Sequence, residues 1–137
     1  MLSPPRISQD PDLLNLAGAG ALFPLTLGTI CIFSPSTGFR IFGFPEPVGT
    51  PQARKRRWDM MFCFGSRDVF FGLSALAAWH EGAGRVLGWL YLCGALMAVA
   101  DGIHTAREFG GGAWKNIVWC PILVAIGGGL LEWFDQS

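Results

Sequence analysis

The chain has 137 residues, of which 51% are hydrophobic and only 15% are charged. A soluble domain of this size carries about 25% charged residues, so the composition excludes an ordinary soluble fold and indicates a membrane protein. The formal net charge is zero, and the sequence has no zinc-finger, Walker or recognition-helix pattern, so we expect no nucleic acid among its partners.

Four apolar stretches are each long enough for a helix to cross a bilayer, which takes about 20 residues. They cover residues 13–33, 58–79, 86–106 and 114–134. The pattern predicts an all-α fold, an integral membrane four-helix bundle, with residues 1–137 forming one domain. Membrane lipid is then an expected partner. A homo-oligomer is left open, because so small a bundle buries little surface.

The segment before the first span is polar and interrupted by prolines. It lacks the basic region and short apolar core of a secretory signal, so we expect the first span to be a retained helix. Gly18 and Gly20 have no side chains, so the helix is narrow there and can pack closely against other helices. Asn15, one turn into the span, is a candidate polar group directed into the bundle.

The connection over residues 34–57 is the long first loop, and it is rich in proline. Its four prolines predict that no regular helix forms there. Phe39, Phe42 and Phe44 favour a segment that lies against the bilayer surface.

Most of the basic residues lie in the first and third loops, above all in the run Arg54–Arg57. Cytoplasmic loops carry an excess of Lys and Arg, so both loops are expected in the cytoplasm and both termini in the lumen. The expected location is the endoplasmic reticulum membrane.

The second span carries two adjacent ionisable residues, Arg67 and Asp68. Ionisable side chains inside a span cost about 3 kcal/mol or more and often mark functional sites. Arg67 is expected to form a bidentate pair with one carboxylate, which lowers the cost of burying both groups. An ion pair of this kind would equally serve as structural glue between helices.

The third span carries Asp101 and His104, whose spacing places them on one helix face. A carboxyl group in an apolar site tends to stay protonated, which is the state that general acid catalysis requires. Asp101 and Asp68 are therefore alternative acids, and a structural interhelical hydrogen bond would use the same state. Gly84 and Gly88 form a small-x-x-x-small pair that predicts close packing of this helix.

The candidate residues divide into a catalytic and a substrate-binding set. The catalytic candidates are Asp101, Asp68 and Arg67, and the substrate-binding candidates are Asn15, Asp59, His104, Phe64, Phe71 and Trp89. No metal site is predicted, because the two histidines lie near opposite ends of neighbouring antiparallel helices. No haem, flavin or nicotinamide motif is present, so no cofactor is expected.

The pattern G-S-R-D-V-F-F-G-L in the second span, followed by A-V-A-D-G in the third, resembles a family of small four-span membrane proteins of unknown function. That family is common in filamentous fungi. The matching residues are Gly65, Arg67, Asp68, Gly72 and Asp101. The resemblance implies work beside secondary-metabolite pathways, on an oily terpenoid or meroterpenoid intermediate. Small membrane cyclases of such pathways use intramembrane acids, although they have more spans.

Three functions compete. The first is an integral membrane isomerase or cyclase that acts on a hydrophobic small molecule by cofactor-free acid–base chemistry. The second is a small oligomeric transporter, which the lack of an acid within the first span disfavours. The third is a non-catalytic scaffold or lipid-binding subunit, which nothing in the sequence excludes.

Overall fold

The computed structural model describes residues 6–135, and every regular element in that range is a helix. The all-α prediction is therefore confirmed. After a 3₁₀ turn at Ile7–Gln9, the helices of this range are α1 (Pro11–Gly20), α2 (Leu22–Phe33), α3 (Pro35–Phe42), α4 (Pro51–His80), α5 (Gly84–Phe109), α6 (Trp114–Ile117) and α7 (Cys120–Leu130).

The helices form two compact units. The central unit is Ala21–Leu73, and the terminal unit combines residues 6–20 with residues 74–135. Helix α4 contributes most of its length to the central unit and its last turns to the terminal unit. The single domain expected over residues 1–137 stays a prediction.

Three helical segments are long and apolar enough to cross a membrane: Pro11–Phe33, Pro51–His80 and Gly84–Phe109. They contain the first three predicted spans, and they make the chain a membrane protein by length and composition. The segment Trp114–Leu130 is apolar but shorter.

The predicted fourth span, residues 114–134, is wrong at its end, because α7 stops at Leu130. Glu132 has a positive φ of 68° and turns the chain, so that the backbone amide of Trp133 donates to the Gly128 carbonyl at 3.0 Å. The indole of Trp133 then lies over Gly128, where a methyl group would meet a ring atom at 2.7 Å.

The prediction that prolines exclude a helix from residues 34–57 is also wrong. Pro35 is at the start of α3, and Pro51 is the first residue of α4. Proline is favoured at the first helical position because the amide hydrogen that it lacks would have no partner there. Helix α3 ends at Gly43, whose φ of 69° is a left-handed conformation that glycine adopts without strain. Only residues 43–50 form an irregular loop.

The core of the central unit is a cluster of Cys31, Phe39 and Met61, one from each of α2, α3 and α4. All three side chains are fully buried. Phe39 was expected at the bilayer surface, and the structure corrects this, because α3 packs its apolar face on its neighbours. Phe42 and Phe44 are partly buried against the same cluster and stack on each other with ring centroids 5.5 Å apart.

Helices α2 and α4 approach closely within the central unit, because glycines lie at their contact. Gly28 of α2 lies against Gly65 of α4, and Gly72 of α4 lies against Leu25 of α2. Any larger residue at these glycines would contact the backbone of the opposite helix. Small residues at such positions let two helices approach each other closely.

In the terminal unit, α5 packs mainly against α7. Gly88 and Gly127 face each other there, and a methyl group on either would lie about 3 Å from the other carbonyl oxygen. The close packing predicted for Gly88 is confirmed. Gly84 makes only ordinary contacts, the nearest at 3.8 Å, so it does not contribute to this close approach.

Helix α1 is held in the terminal unit by two aromatic side chains. The buried Tyr91 of α5 donates a hydrogen bond from its hydroxyl to the Ala17 carbonyl at 2.5 Å. The Trp79 indole, at the end of α4, lies against Gly18. The space left by Gly18 is filled by this indole ring, and close approach of two helix backbones at Gly18 stays a prediction.

Candidate functional site

Asp68 lies on the buried face of α4. The residues at positions 61, 65, 68, 72 and 75 are all buried, and their alternating spacing of four and three defines one helix face. Every other member of this face is apolar or glycine, whereas Asp68 places a carboxylate in the same row. Asp68 is only 8% exposed. The sequence motif thus puts an acid where α4 is otherwise built for packing.

Arg67 forms an ion pair with Asp68. The sequence predicted a pair with one carboxylate but left open which one. The Arg67 Nη2 atom lies 3.2 Å and its Nε atom 3.4 Å from Asp68 Oδ1, and both N–H groups donate to that oxygen. These charge-assisted bonds fix the orientation of the guanidinium.

Phe64 supports the guanidinium from one helical turn away. The Arg67 guanidinium carbon lies 4.9 Å from the centroid of the Phe64 ring, within the range of a cation–π interaction. The spacing of three residues on α4 brings the ring and the cation to the same side of the helix. Phe64, a predicted substrate-binding residue, therefore contacts the catalytic candidate Arg67.

Gly28 of α2 covers Asp68, and sequence reasoning missed it. A methyl group at Gly28 would lie 3.0 Å from the Asp68 Cβ and 2.7 Å from the Val69 amide nitrogen. The backbone of α2 therefore runs directly over the acid. The available signal was the single glycine of α2 among larger, mostly apolar residues, and this signal does not reveal which residue Gly28 faces.

Asp101 and His104 lie on α5, in the terminal unit, and both are half-buried. The Nε2 atom of His104 is buried. Thr105, which is 4% exposed, donates from its hydroxyl to the Asp101 carbonyl at 2.7 Å. Asn116, in α6, donates in turn to the Thr105 hydroxyl at 3.3 Å.

Thr105 and Asn116 were not among the predicted site residues. Their hydrogen bonds connect α5 to α6, and Gly102 lies against Ile117 beside them. These contacts fix the backbone of α5 at the level of Asp101. The signal in the sequence was the single amide in W-K-N-I-V-W, a polar group in an apolar run.

The remaining predicted residues are Asn15 in the terminal unit, Asp59 and Phe71 on α4, and Trp89 on α5. Asn15 accepts a hydrogen bond from the Trp79 indole nitrogen at 3.1 Å, a contact that joins α1 to the end of α4. Phe71 is half-buried in the central unit, and Asp59 is exposed near the start of α4. Trp89 is 59% exposed. Substrate binding by these residues stays a prediction.

No three His, Cys, Asp or Glu side chains within residues 6–135 are placed to hold a metal ion. The four cysteines are free thiols, and Cys31 is buried beside the ion pair's helix whereas Cys63 and Cys93 are exposed. The predicted site residues that the structure describes carry carboxylates, an arginine, an imidazole, an amide and aromatic rings.

No curated protein and no solved structure matches this chain. A family model does match, and it covers residues 21–130. The matched range includes the whole central unit, the Arg67–Asp68 pair and Asp101. The chain therefore belongs to the family described as Domain of unknown function (DUF4267).

Proposed function

We propose that this protein is an integral membrane isomerase or cyclase. Its substrate would be a hydrophobic intermediate of secondary metabolism, of the terpenoid or meroterpenoid class, and its reaction would need no cofactor. The observation that carries the proposal is the buried Asp68 carboxylate, held by Arg67 within a helix long and apolar enough to span a membrane.

The ion pair combines burial with access. A charge inside a span is costly unless it is paired, and it is most often functional. Asp68 is buried, but the Arg67 side chain is 33% exposed, so a molecule beside α4 can reach the guanidinium.

Isomerisation and cyclisation fit this set of side chains because they need only proton transfer. A carboxyl group adds a proton to an epoxide oxygen or an alkene carbon, and the resulting cation closes a ring or rearranges. The carboxylate left by the acid then takes a proton from a neighbouring carbon of the cation, which restores the enzyme, so no oxidant or reductant is consumed. Because an ion-paired carboxylate has no proton to give, the proposed acid is Asp101 while Arg67 holds Asp68 as its anionic partner. Asp68 would be the acid only in a state in which Arg67 has turned away from it. Phe64 and Phe71 would shape a dry surface for the substrate.

The proposed architecture is a four-helix bundle in the endoplasmic reticulum membrane. The segment Trp114–Leu130 would be its fourth, shorter span, which a bilayer accommodates by local thinning or by snorkelling of flanking residues. The first and third loops would face the cytoplasm. We propose Gly65, Arg67, Asp68, Gly72 and Asp101 as the signature of a family that is widespread in filamentous fungi.

The test is a comparison of lipophilic products. The intact protein and the variants Arg67→Ala, Asp68→Asn and Asp101→Asn are expressed at matched membrane levels in a host that carries the neighbouring pathway genes. Glu46→Gln, which changes an exposed carboxylate in the loop after α3, is the control. Products are then profiled by mass spectrometry.

A compound made by the intact protein and by Glu46→Gln, but lost in one folded aspartate variant, would support catalysis and identify the acid. Identical profiles in all five strains would contradict an enzyme and leave the scaffold or the transporter.

A further inference from the structure

The first two turns of α4 carry a dense group of cations. Arg54, Lys55 and Arg56 are exposed, and Arg57 is half-buried. Successive residues of an α-helix are rotated by about 100°, so four in a row surround the helix. We call Arg54–Arg57 the basic ring. The whole chain has zero net charge, so this ring is a strong local concentration of positive charge.

The described part of the chain does not neutralise the positive charge of the basic ring. Among residues 6–135, none of its four cations forms an ion pair with a carboxylate. The first turn of α4 contains no acidic residue. The amino-terminal end of a helix carries a partial positive charge, so cations there are less favourable than elsewhere. The arrangement is therefore adapted to an external anion.

The position of the ring along α4 matches a membrane surface. Trp58, which is 53% exposed, follows the ring directly, and Trp79 lies near the other end of the helix. Trp79 follows Trp58 by 21 positions, which correspond to about 31 Å of helix, close to the thickness of the hydrocarbon layer. Tryptophan is enriched at the membrane–water interface. The basic ring precedes Trp58 in α4, so it lies farther from the hydrocarbon layer, at the level of the lipid phosphates.

Exposed apolar side chains accompany the ring. Phe39 of α3 packs against Met61, one turn after Arg57, so α3 lies beside this end of α4. Ile41, also on α3, is 49% exposed, and Phe33 at the end of α2 is 83% exposed. Arg40 adds a fourth exposed cation. Exposed cations next to exposed apolar groups are typical of a surface that lies at the membrane interface.

We infer that the basic ring binds anionic phospholipid headgroups in the leaflet that surrounds the start of α4. Phosphatidylserine, with a net negative headgroup, is the kind of lipid that it would select over zwitterionic phosphatidylcholine. Clusters of four or more cations beside a span attract such lipids. The inference is independent of the proposed chemistry, because none of these cations belongs to the catalytic set.

The test uses the full chain, purified in a mild detergent. Short-chain phosphatidylserine or phosphatidylcholine is added in increasing amounts, and the apparent Kd is taken from the rise in unfolding temperature. The variant is Arg54→Gln/Lys55→Gln, and the matched control is Arg107→Gln/Lys115→Gln, which also removes one exposed Arg and one exposed Lys. Inorganic phosphate is added in a separate titration.

Phosphatidylserine should stabilise the intact protein and the control more than phosphatidylcholine does. Each cation lost from the ring should weaken binding of phosphatidylserine about fivefold, so the double variant should lose about 25-fold. Equal effects of the two lipids would overturn the inference, as would an equal loss in the control. Stabilisation by inorganic phosphate alone, at the same concentration, would show a free-anion site and overturn it as well.

Discussion

Gly28 and Gly65 meet backbone to backbone where α2 crosses α4. A methyl group on Gly28 would lie 2.5 Å from the Gly65 carbonyl oxygen, and one on Gly65 would lie 2.7 Å from the Gly28 carbonyl oxygen. Real side chains essentially never come so close to backbone atoms. The contact therefore depends on both residues being glycine, and it holds the α2 backbone over Asp68.

Replacing Gly65 by alanine should lower the free energy of unfolding by about 2 kcal/mol, because the methyl group forces two backbones apart. Alanine has the better helix propensity, which offsets the loss by up to about 1 kcal/mol. The measurement is reversible unfolding in mixed micelles. Gly84→Ala is the control, since the nearest atom to its added methyl group would be 3.8 Å away. Equal stability of the two variants would contradict the close crossing.

Arg67→Met should cost about 2 kcal/mol of stability, because it keeps an unbranched side chain but removes the guanidinium from a buried carboxylate. Arg67 is one-third exposed, so the loss should fall below that of a fully buried pair. The double variant Arg67→Met/Asp68→Asn should be more stable than Arg67→Met, since it no longer buries a charge. A double variant that loses the sum of both single losses would show that the pair is not coupled.

Phe39→Ala should cost about 3 kcal/mol, as expected for removing a fully buried aromatic ring. The loss should appear as a lower unfolding temperature and as faster proteolysis of the chain between α2 and α4. Phe70→Ala removes a ring that is 72% exposed and should leave both readouts nearly unchanged. Similar behaviour of the two variants would mean that α3 does not pack as described.

Ser8→Ala should reduce the dependence of stability on acidic pH. The Ser8 hydroxyl donates to Asp135 Oδ2 at 2.5 Å, and this hydrogen bond lowers the pKa of Asp135 below its ordinary value of 3.8. A lowered folded-state pKa means that the unfolded chain binds the proton more readily. The stabilisation is thus fully present above about pH 4 and is lost as pH falls through the folded pKa.

The unfolding temperature of the intact protein should consequently fall more steeply between about pH 4 and pH 3 than that of Ser8→Ala. Ser36→Ala, which changes an exposed serine on α3, should retain the steeper profile. Parallel profiles for all three proteins would show that the Ser8–Asp135 bond makes no contribution in solution.

The first three spans could be predicted because a helix that crosses a bilayer needs a long apolar run, and such runs are visible in the sequence. The proline rule failed at Pro35 and Pro51 because the effect of proline depends on its place in a helix, and a loop rich in proline can contain helix starts. Phe39 was misplaced for a different reason. A single aromatic residue in a short amphipathic helix fits either lipid or a protein core, and only its neighbours decide between them.

The candidate site, like the fold, was predictable only in part. Arg67 and Asp68 are conspicuous as charges in an apolar run, but the sequence did not decide which carboxylate pairs with Arg67, because adjacent residues of a helix are rotated by about 100°. The cover provided by Gly28 was beyond prediction, because it depends on where α2 crosses α4. The Thr105–Asn116 bond likewise depends on the fold of α6 against α5. Local patterns identify polar groups in spans, but not the residues that position them.

Asp68 lies about halfway along α4 between Trp58 and Trp79, about 15 Å of helix from each. With the two tryptophans at the two membrane surfaces, as inferred above, a hydrocarbon layer of about that thickness would separate Asp68 from water on either side. A water-soluble molecule would have to cross that layer to reach Arg67. A molecule already dissolved in the bilayer would meet the exposed part of Arg67 by lateral diffusion. Molecules that dissolve in lipid would thus reach this ion pair more readily than water-soluble molecules.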